Sequence, residues 1–350
     1  MTSDTALTVL SLGAGVQSTT LALLAAEGVL PRPDVAIFAD TEWEPAPVYR
    51  HLDRLSAVLH DSGIELVRVQ QGDLRRDTLA RTDFLRLPAF VHGSDGKAAM
   101  LRRQCTERYK LDPIRREIRR RLGARTASNG AVMAPPRGAV AEQWIGFSTD
   151  EIGRVKDEKV AYLRNRYPLL ELNMSRKNCE AWLARRGWGD TPNSACIACP
   201  FHGNRQWREL RDTCVCGHHR DDHWRGPWPG KAEKACAHIS NRGAGDDAPA
   251  DVCRCTEFRN PEWLDAVEFD RQIRQRAFVG PHRVPFVHRS LLPLDEAPID
   301  QVQRKELLDA QGDLFDVMEH GTPDGCSPFG CRSGEPVDLD AMEPRTEEAL

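Results

Sequence analysis

The sequence lacks any apolar run that approaches the roughly 18 residues of a membrane-spanning helix. Its first residues, Met-Thr-Ser-Asp-Thr, do not form a basic segment followed by an apolar one, as a secretory signal peptide would. The chain also has no internal repeats. We therefore expect a cytoplasmic protein with no membrane-inserted segment.

The chain has little net charge: its formal value is −4 over 350 residues, which predicts no global attraction to nucleic acid. The charge is uneven, however, because residues 101–125 are rich in arginine and the tail from Glu335 onward is acidic. The basic segment predicts a helix that either binds a polyanionic partner or presents an ordinary solvated face. With 40% apolar and 29% charged residues, the composition is that of a soluble globular protein of one or two domains.

Cysteine is abundant, with 11 residues. Disulfides are disfavoured in the cytoplasm, so clustered cysteines in that compartment more often bind metal or react. The cysteines fall into two single residues, two pairs and one group in a segment rich in Cys, His, Gly, Pro and Trp. They are Cys105 and Cys179, the pairs Cys196/Cys199 and Cys326/Cys331, and the group Cys214, Cys216, Cys236, Cys253 and Cys255.

Short apolar segments alternate with amphipathic helical ones at the start of the chain. The predicted elements are strands at Leu7–Leu12, Asp34–Ala39 and Ile64–Val69, and helices at Thr19–Glu27 and Ala46–Asp61. This alternation is typical of an α/β fold whose parallel sheet is covered by helices on both faces. Later segments add a strand and three helices, at Ala141–Phe147, Thr106–Leu122, Arg176–Arg186 and Pro261–Arg276. Pro113 is expected to kink or restart the helix that contains it.

The segment Gly13–Ser18 carries the clearest functional signal. It joins the first strand to the first helix through Gly13-Ala14-Gly15, and hydroxyl residues open the helix. A strand that breaks on glycines and restarts as a helix points backbone N–H groups and the positive end of the helix dipole at one spot, which suits a phosphate. Considered alone, the segment is also compatible with an ordinary tight strand–helix turn.

Asp40 lies just past the second predicted strand. Ligands of parallel sheets bind at the carboxyl ends of the strands, so Asp40 and Gly13 are expected at one crevice. The Asp40 carboxylate can hold Mg²⁺ or a ribose hydroxyl, or it can cap the helix that follows.

Charged residues also follow the predicted strand Ala141–Phe147. Arg154 can bind a phosphate or sulfate group bidentately. Asp150 and Glu151 can position Mg²⁺, or they can begin a helix at its positive end with Arg154 as a surface ion-pair partner.

Several motifs follow one another along the chain: Gly13–Ser18, Phe38–Thr41, Arg103–Thr106, Trp144–Glu151, Tyr167–Leu170 and Cys196–His202. In this order they resemble the phosphoadenosine phosphosulfate (PAPS) reductase-like family of the adenine nucleotide α-hydrolases, the PP-loop ATP pyrophosphatases. The resemblance covers roughly residues 7–211 and 260–295.

The resemblance implies a modified Rossmann-like sheet of the HUP type, whose first loop binds the pyrophosphate of ATP or the sulfate and phosphate groups of PAPS. The nucleotide-binding residues that we expect are Ser11, Gly13, Ala14, Gly15, Gln17, Ser18, Thr19, Asp40 and Thr41. The family's usual loop reads Ser-Gly-Gly-Lys-Asp-Ser, whereas Val16 and Gln17 stand here at the Lys and Asp positions. Nucleotide binding is therefore the firmer expectation, and the candidate catalytic residues are Asp40, Arg154 and Cys105.

Cys196 and Cys199 form a Cys-x-x-Cys pair whose two thiolates can bind one metal from a single turn. Related sulfonucleotide reductases hold a [4Fe–4S] cluster with a tandem Cys-Cys and a Cys-x-x-Cys, and Gln104-Cys105 stands here at the tandem position. Cys105 follows a basic stretch that would lower its thiol pKa. Cys105, Cys196 and Cys199 thus predict a [4Fe–4S] cluster, a structural zinc ion or free thiols. Cys179 lies in an amphipathic helix and is expected to be a core thiol, with a fourth ligand of the cluster as the alternative.

Residues 212–258 have almost no aliphatic periodicity, and a small core-poor insert of this kind usually requires a metal to fold. Thiolates and imidazoles at this spacing suit one or two tetrahedral zinc ions. The candidate ligands are Cys214, Cys216, His218, His223, Cys236, His238, Cys253 and Cys255. The insert would divide an adenine-nucleotide-binding domain, 1–211, from its helical C-terminal part, 259–320, before a flexible tail at 321–350.

These expectations lead to two hypotheses of function. In the first, the protein is an enzyme that binds ATP with Mg²⁺, adenylates a substrate with release of pyrophosphate, and transfers sulfur at the Cys105/Cys196/Cys199 centre. A variant is reduction of PAPS or adenylyl sulfate, although the Glu-Cys-Gly-Leu-His motif of true PAPS reductases is absent. In the second, the protein is a nucleotide-sensing or nucleic-acid-binding zinc module of a modification complex. Cys326 and Cys331 are a redox pair, part of a metal site or an incidental pair.

Overall fold

The computed structural model describes residues 5–81, 85–93, 97–101, 103–155, 158, 160–218, 220, 259–275 and 284–303, and the backbone of 239–240 and 251–252. The strands are β1 (Leu7–Leu12), β2 (Val35–Asp40), β3 (Glu65–Gln70), β4 (Phe90–His92), β5 (Ala98–Met100), β6 (Ala141–Trp144), β7 (Leu163–Arg166), β8 (Ile239–Ser240) and β9 (Asp251–Val252). The α-helices are α1 (Val16–Ala26), α2 (Ala46–Asp61), α3 (Leu74–Ala80), α4 (Asp112–Arg121), α5 (Pro168–Glu171), α6 (Arg176–Arg185), α7 (Asn204–Asp212) and α8 (Pro261–Arg274). A π-helix (Thr106–Leu111) and a 3₁₀ helix (Thr149–Arg154) complete the described elements.

Five parallel strands form the central sheet in the order β3-β2-β1-β6-β7. The chain moves outward from β1 to β3 on one side and from β6 to β7 on the other, so β1 and β6 flank the point where the strand order reverses. In open parallel sheets, ligands bind beside the carboxyl ends of the strands at such a point. The predicted α/β fold with a parallel, Rossmann-like sheet is confirmed.

Helices cover both faces of this sheet. Leu10, Leu12 and Phe38 face one side and pack in one apolar cluster with α1, α2 and α6. Val9 and Ile37 face the other side and pack with α4. The alternation along β1 and β2 places successive side chains in different layers, as a strand buried on both faces requires.

The sequence predicts several boundaries closely, and the structure corrects others. The bounds of β1 and α2 are those predicted, and Ser175 caps α6 by accepting the Asn178 N–H at 3.1 Å. The predicted helix Thr106–Leu122 restarts instead of kinking: a π-helix reaches Leu111 and α4 begins at Asp112. Pro113 lies in the first turn of α4, where its missing N–H costs nothing.

The cysteine-rich insert predicted at residues 212–258 lies between α7 and α8. Of residues 212–258, the structure describes Asp212–His218, Arg220 and the backbone of the antiparallel pair β8–β9. The tail at 321–350 lies outside the described residues. Among the described helices, none is both long enough and apolar enough to cross a bilayer.

Candidate functional site

The loop between β1 and α1 gathers backbone donors around one hydroxyl. Ala14 adopts a left-handed conformation with φ 58°, and Gly15 is extended, so the chain turns sharply before α1 begins. Ser18 Oγ lies 3.2 Å from the Gly13 N–H nitrogen and 3.3 Å from that of Gly15, and accepts from both. These two N–H groups thus converge on one point at the start of a helix, which is the arrangement that binds an anion.

Gly146 allows the segment after β6 to lie directly against this loop. A Cβ added at Gly146 would lie 3.1 Å from the Ser18 nitrogen and 3.2 Å from the carbonyl carbon of Gln17. A side chain at this position would press on backbone atoms and require the loop to shift by a few tenths of an ångström, which favours glycine. Gly146 belongs to one of the family motifs, but the sequence did not predict this contact, because Gly146 and the loop are more than a hundred residues apart.

A buried polar network joins the loop to the 3₁₀ helix after β6. The Gln17 amide donates to Glu151 Oε2 at 3.0 Å, and Arg154 forms an ion pair with Glu151. The Arg154 guanidinium also lies 4.5 Å from the centre of the Phe147 ring. Arg154, a candidate catalytic residue, is therefore held at the edge of the crevice by a carboxylate and by an aromatic face.

Arg176 and Asp150 connect the network to α6. Arg176 NH1 lies 3.4 Å from Gln17 Oε1, and its NH2 donates to Asn193 at 2.7 Å. Asp150 Oδ1 accepts the backbone N–H of Arg176 at 2.9 Å, at the positive end of α6. Asp150 and Glu151 thus both have protein partners.

Asp40 lies at the carboxyl end of β2, as predicted. Its Oδ1 accepts from the Glu42 N–H at 2.7 Å and from the Tyr49 hydroxyl at 2.9 Å. Burial and the neighbouring Asp40 carboxylate raise the pKa of Tyr49 well above its usual value, so this hydroxyl remains a donor. Pro45 precedes α2, so Asp40 does not cap that helix. Both of its bonds to described residues use Oδ1, which leaves Oδ2 available to a ligand.

The structure places Ser11 and Thr19 in the protein interior, away from the converging N–H groups. Ser11 Oγ accepts from the Gln143 amide at 3.2 Å between β1 and β6. The Thr19 hydroxyl lies 2.8 Å from His51 Nε2, between α1 and α2. Of the predicted nucleotide-binding residues, Gly13, Ala14, Gly15, Gln17 and Ser18 build the loop itself.

Cys196 lies against the turn after β2. Its Sγ is 3.3 Å from the Thr41 hydroxyl and 3.6 Å from Glu44 Oε1. Lys110 Nζ, from the π-helix, is 3.5 Å from the same carboxylate oxygen, and both side chains are buried. The second oxygen, Glu44 Oε2, is buried without a hydrogen-bond partner in the described part of the chain. The sequence did not predict the ion pair between Glu44 and Lys110, because the residues around each of them show no pattern that indicates a buried ion pair.

The three cysteines of the predicted metal centre are buried in two apolar clusters. Cys105 and Cys196 belong to one apolar cluster, whereas Cys199 packs with Ala195 and Phe201. In the ranges that the structure describes, no three His, Cys, Asp or Glu side chains are arranged to hold a metal ion. An iron–sulfur or zinc centre at Cys105, Cys196 and Cys199 stays a prediction. Burial raises the pKa of Cys179 to about 12, as expected for a core thiol.

Three candidate zinc ligands of the insert share one tight turn. The Cys214 N–H donates to the His218 carbonyl, and the Gly217 N–H donates to the Cys214 carbonyl, both at 2.8 Å. Gly217 has φ 85°, which explains the glycine, and Cys216 lies within the turn. Cys214 Sγ accepts the Arg259 N–H at 3.2 Å. The remaining candidates lie outside the described residues: His223, Cys236, His238, Cys253 and Cys255.

Residues 112–121 of the basic segment form α4, and four of the five arginines of this helix have protein partners. Arg115 pairs with Glu158 at 2.8 Å, and Arg121 pairs with Glu65 at 2.8 Å. Arg116 donates to the Gln70 carbonyl, and Arg120 pairs with Glu117. Much of the positive charge of α4 is therefore balanced locally, which favours the solvated-face interpretation of this helix.

No protein-family model matches the chain, and a search of curated proteins finds no match. The resemblance to the PAPS reductase-like family thus depends on the motifs alone. What the geometry adds is the relation between them: the glycine loop, the end of β2 and the segment after β6 meet at one edge of the sheet.

Proposed function

We propose that the chain is a PAPS reductase-like, PP-loop type enzyme that binds an adenine nucleotide at Gly13–Ser18 and adenylates a substrate. The observation that carries the proposal is the convergence of the Gly13 and Gly15 N–H groups at the start of α1, beside the end of β6. A helix terminus and converging backbone N–H groups at the strand-order reversal suit a nucleotide's phosphates better than they suit a neutral ligand.

The residues around the loop supply what adenylation needs. An acceptor nucleophile bonds to the α-phosphorus of ATP, the bond from that phosphorus to the oxygen bridging to the β-phosphate breaks, and pyrophosphate leaves. Loop N–H groups and Arg154 offer fixed dipoles and positive charge to the phosphate oxygens. Asp40 is the carboxylate that would hold Mg²⁺, and the ion would neutralise phosphate charge. We derive no sulfur-transfer step through a metal centre, because among the described residues no three potential ligands are arranged to hold a metal ion.

The variant Asp40→Asn tests this proposal. Asparagine keeps an oxygen acceptor for Glu42 and Tyr49 but removes the charge that Mg²⁺ requires. We expect the Kd for ATP, measured by calorimetry with Mg²⁺, to rise about tenfold, or about 1.4 kcal/mol, while ATP binding without Mg²⁺ is unchanged. Pyrophosphate release should fall in parallel. Asp53→Asn is the matched control, since Asp53 is an exposed residue of α2 paired with Arg68.

Three outcomes separate the hypotheses. A wild-type protein that binds no adenine nucleotide contradicts the proposal, and so does an Asp40→Asn variant that binds Mg²⁺-ATP normally. Tight binding of PAPS or adenylyl sulfate in place of ATP would favour sulfonucleotide reduction.

A second candidate function, a zinc-dependent recognition module, has support from one observation. Cys214, Cys216 and His218 lie in one turn, with a backbone N–H donated to the Cys214 sulfur, as is common for thiolate ligands. We propose that this turn contributes ligands to structural zinc in the insert, which would present a surface to nucleic acid or to a protein of a modification complex. A steep dependence of nucleic-acid affinity on salt concentration would support this role.

A further inference from the structure

The segment Pro192–Ser194 lies over the glycine loop. A Cβ added at Gly15 would lie 3.5 Å from the Cβ of Ser194, 3.6 Å from its backbone nitrogen and 4.0 Å from the Pro192 carbonyl oxygen. These are ordinary van der Waals distances, so the segment packs directly against the loop. Nothing in the sequence pattern predicts this contact, since Ser194 lies between a proline-containing linker and the Cys-x-x-Cys motif.

Both sides of the segment are anchored. Asn193 Oδ1 accepts from Arg176 NH2 at 2.7 Å, and Arg176 reaches on to Gln17 in the loop. On the other side, the Ile197 N–H donates to the Trp43 carbonyl at 2.9 Å, after β2. Ser194 is therefore held in place beside Gly15 by contacts on either side.

The Ser194 hydroxyl has no hydrogen-bond partner among the described residues, although the residue is only 6% exposed. A buried hydroxyl without a partner is costly, because it has lost its bonds to water and gained none in return. An alanine would avoid this cost and would fit the same space. Ser194 packs against Gly15, whose N–H group is one of the two that converge at the start of α1. A ligand bound at this loop would give the hydroxyl the partner that it lacks.

We propose that Ser194 is a further anion-binding residue whose hydroxyl donates to an oxygen of the phosphate group held by the glycine loop. The inference rests on the proposed function in that the anion is taken to be a nucleotide phosphate. It adds a donor from a segment outside the strand–loop–helix unit, so that the anion is bound from two sides. Because Cys196 is two residues further along, the same segment places that thiol and its Glu44–Lys110 partners beside the nucleotide site.

Calorimetric titration of the full-length protein with inorganic pyrophosphate and, separately, with ATP tests this role. We expect Ser194→Ala to bind both probes about tenfold more weakly, since a hydroxyl that donates to a charged group contributes at least this much. Its melting temperature without ligand should stay the same or rise, because the hydroxyl has no partner to lose. Ser62→Ala is the matched control, since the Ser62 hydroxyl donates to the Val58 carbonyl at the far end of α2.

The two probes distinguish a failure of the Ser194 proposal from a failure of the proposed nucleotide binding. If Ser194→Ala binds pyrophosphate as tightly as the wild type, the inference about Ser194 is overturned even where ATP binds well. If the wild type binds pyrophosphate but not ATP, adenine-nucleotide binding fails while a weakened Ser194→Ala still supports the anion role. A wild type that binds neither probe overturns both proposals. A Ser194→Ala protein that melts several degrees lower would show a structural role and would also overturn the inference.

Discussion

Gly146 is the residue on which the shape of the glycine loop most directly depends. Any side chain there would meet the backbone of Gln17 and Ser18 at about 3.1 Å, and backbone atoms cannot rotate away as a side chain can. We expect Gly146→Ala to push the loop out of register, to destabilise the fold by about 1–3 kcal/mol and to weaken ATP binding at least tenfold. Denaturant unfolding and calorimetry measure the two effects.

Gly153→Ala is the matched control for this substitution. Gly153 lies in the neighbouring 3₁₀ helix, and an added Cβ there would meet nothing within 4 Å. If Gly146→Ala binds ATP as well as Gly153→Ala does, the close approach between β6 and the loop has no role in the site.

Single residues also show what the sequence could and could not predict. The sequence alone pointed to Gly13, Gly15, Ser18 and Asp40, because each lies where a predicted strand ends. The carboxyl ends of parallel strands are where ligands bind, so such positions can be recognised from the local sequence. Ser194 and Glu44 were missed, because their importance comes from contacts between segments far apart in the chain.

Gln17 was recognised from the local sequence, but its contact with Glu151 joins segments that are far apart in the chain. The family pattern places an aspartate at this position, but here a carboxylate would face Glu151, the acceptor of the Gln17 amide, and the two negative charges would repel each other.

The contact between α1 and α2 depends on a buried histidine. His51 of α2 bonds the Thr19 hydroxyl of α1, and burial lowers the pKa of its imidazole from 6.5 to about 4. The unfolded chain takes up a proton near pH 6.5, whereas the folded protein takes it up only near pH 4. Stability is therefore complete above pH 6.5 and falls as the pH is lowered from 6.5 towards 4.

We expect this residue to account for about 2 kcal/mol of the unfolding free energy lost between pH 7 and pH 5. His51→Gln keeps a hydrogen bond to Thr19 but does not titrate, so urea unfolding of this variant should show a correspondingly smaller loss. His288, whose pKa burial also lowers to about 4, remains as a second source of pH dependence. His60→Gln is the control, because the His60 side chain is 89% exposed. Equal losses in wild type and His51→Gln would contradict this assignment.

At the level of helices and strands, the hydrophobic periodicity of the sequence predicted the helices that bury one apolar face and the strands that are apolar throughout. The edge strand β7 was missed because its sequence, Leu-Arg-Asn-Arg, carries one apolar residue and reads as a polar loop. The π-helix was missed for a different reason. Its buried residues, Thr106, Tyr109 and Lys110, have the i, i+3, i+4 spacing of an ordinary α-helix, so the hydrophobic pattern does not distinguish the two.

The two ends of the cysteine-rich segment lie side by side and are joined by hydrogen bonds. The Val215 N–H donates to the Arg259 carbonyl at 2.8 Å, and the Asn260 side chain donates to the Leu210 and Arg211 carbonyls at the end of α7. Asn260 also caps α8 by accepting the Trp263 N–H at 2.9 Å. The α7–α8 contact is therefore stabilised by Asn260, Leu210 and Arg211, which lie outside residues 212–258.

From this junction we expect that residues 216–258 can be replaced by a short glycine linker with little effect on the sheet. The variant should unfold cooperatively within a few degrees of the wild type and should bind ATP equally well, while losing the zinc measured by elemental analysis. Adding Asn260→Ala to the linker variant should cost about 1–3 kcal/mol, because it removes a helix cap and leaves two carbonyls without a donor. A linker variant that does not fold would mean that the segment stabilises the nucleotide domain itself. Zinc retained after the replacement would move the metal site back to Cys105, Cys196 and Cys199.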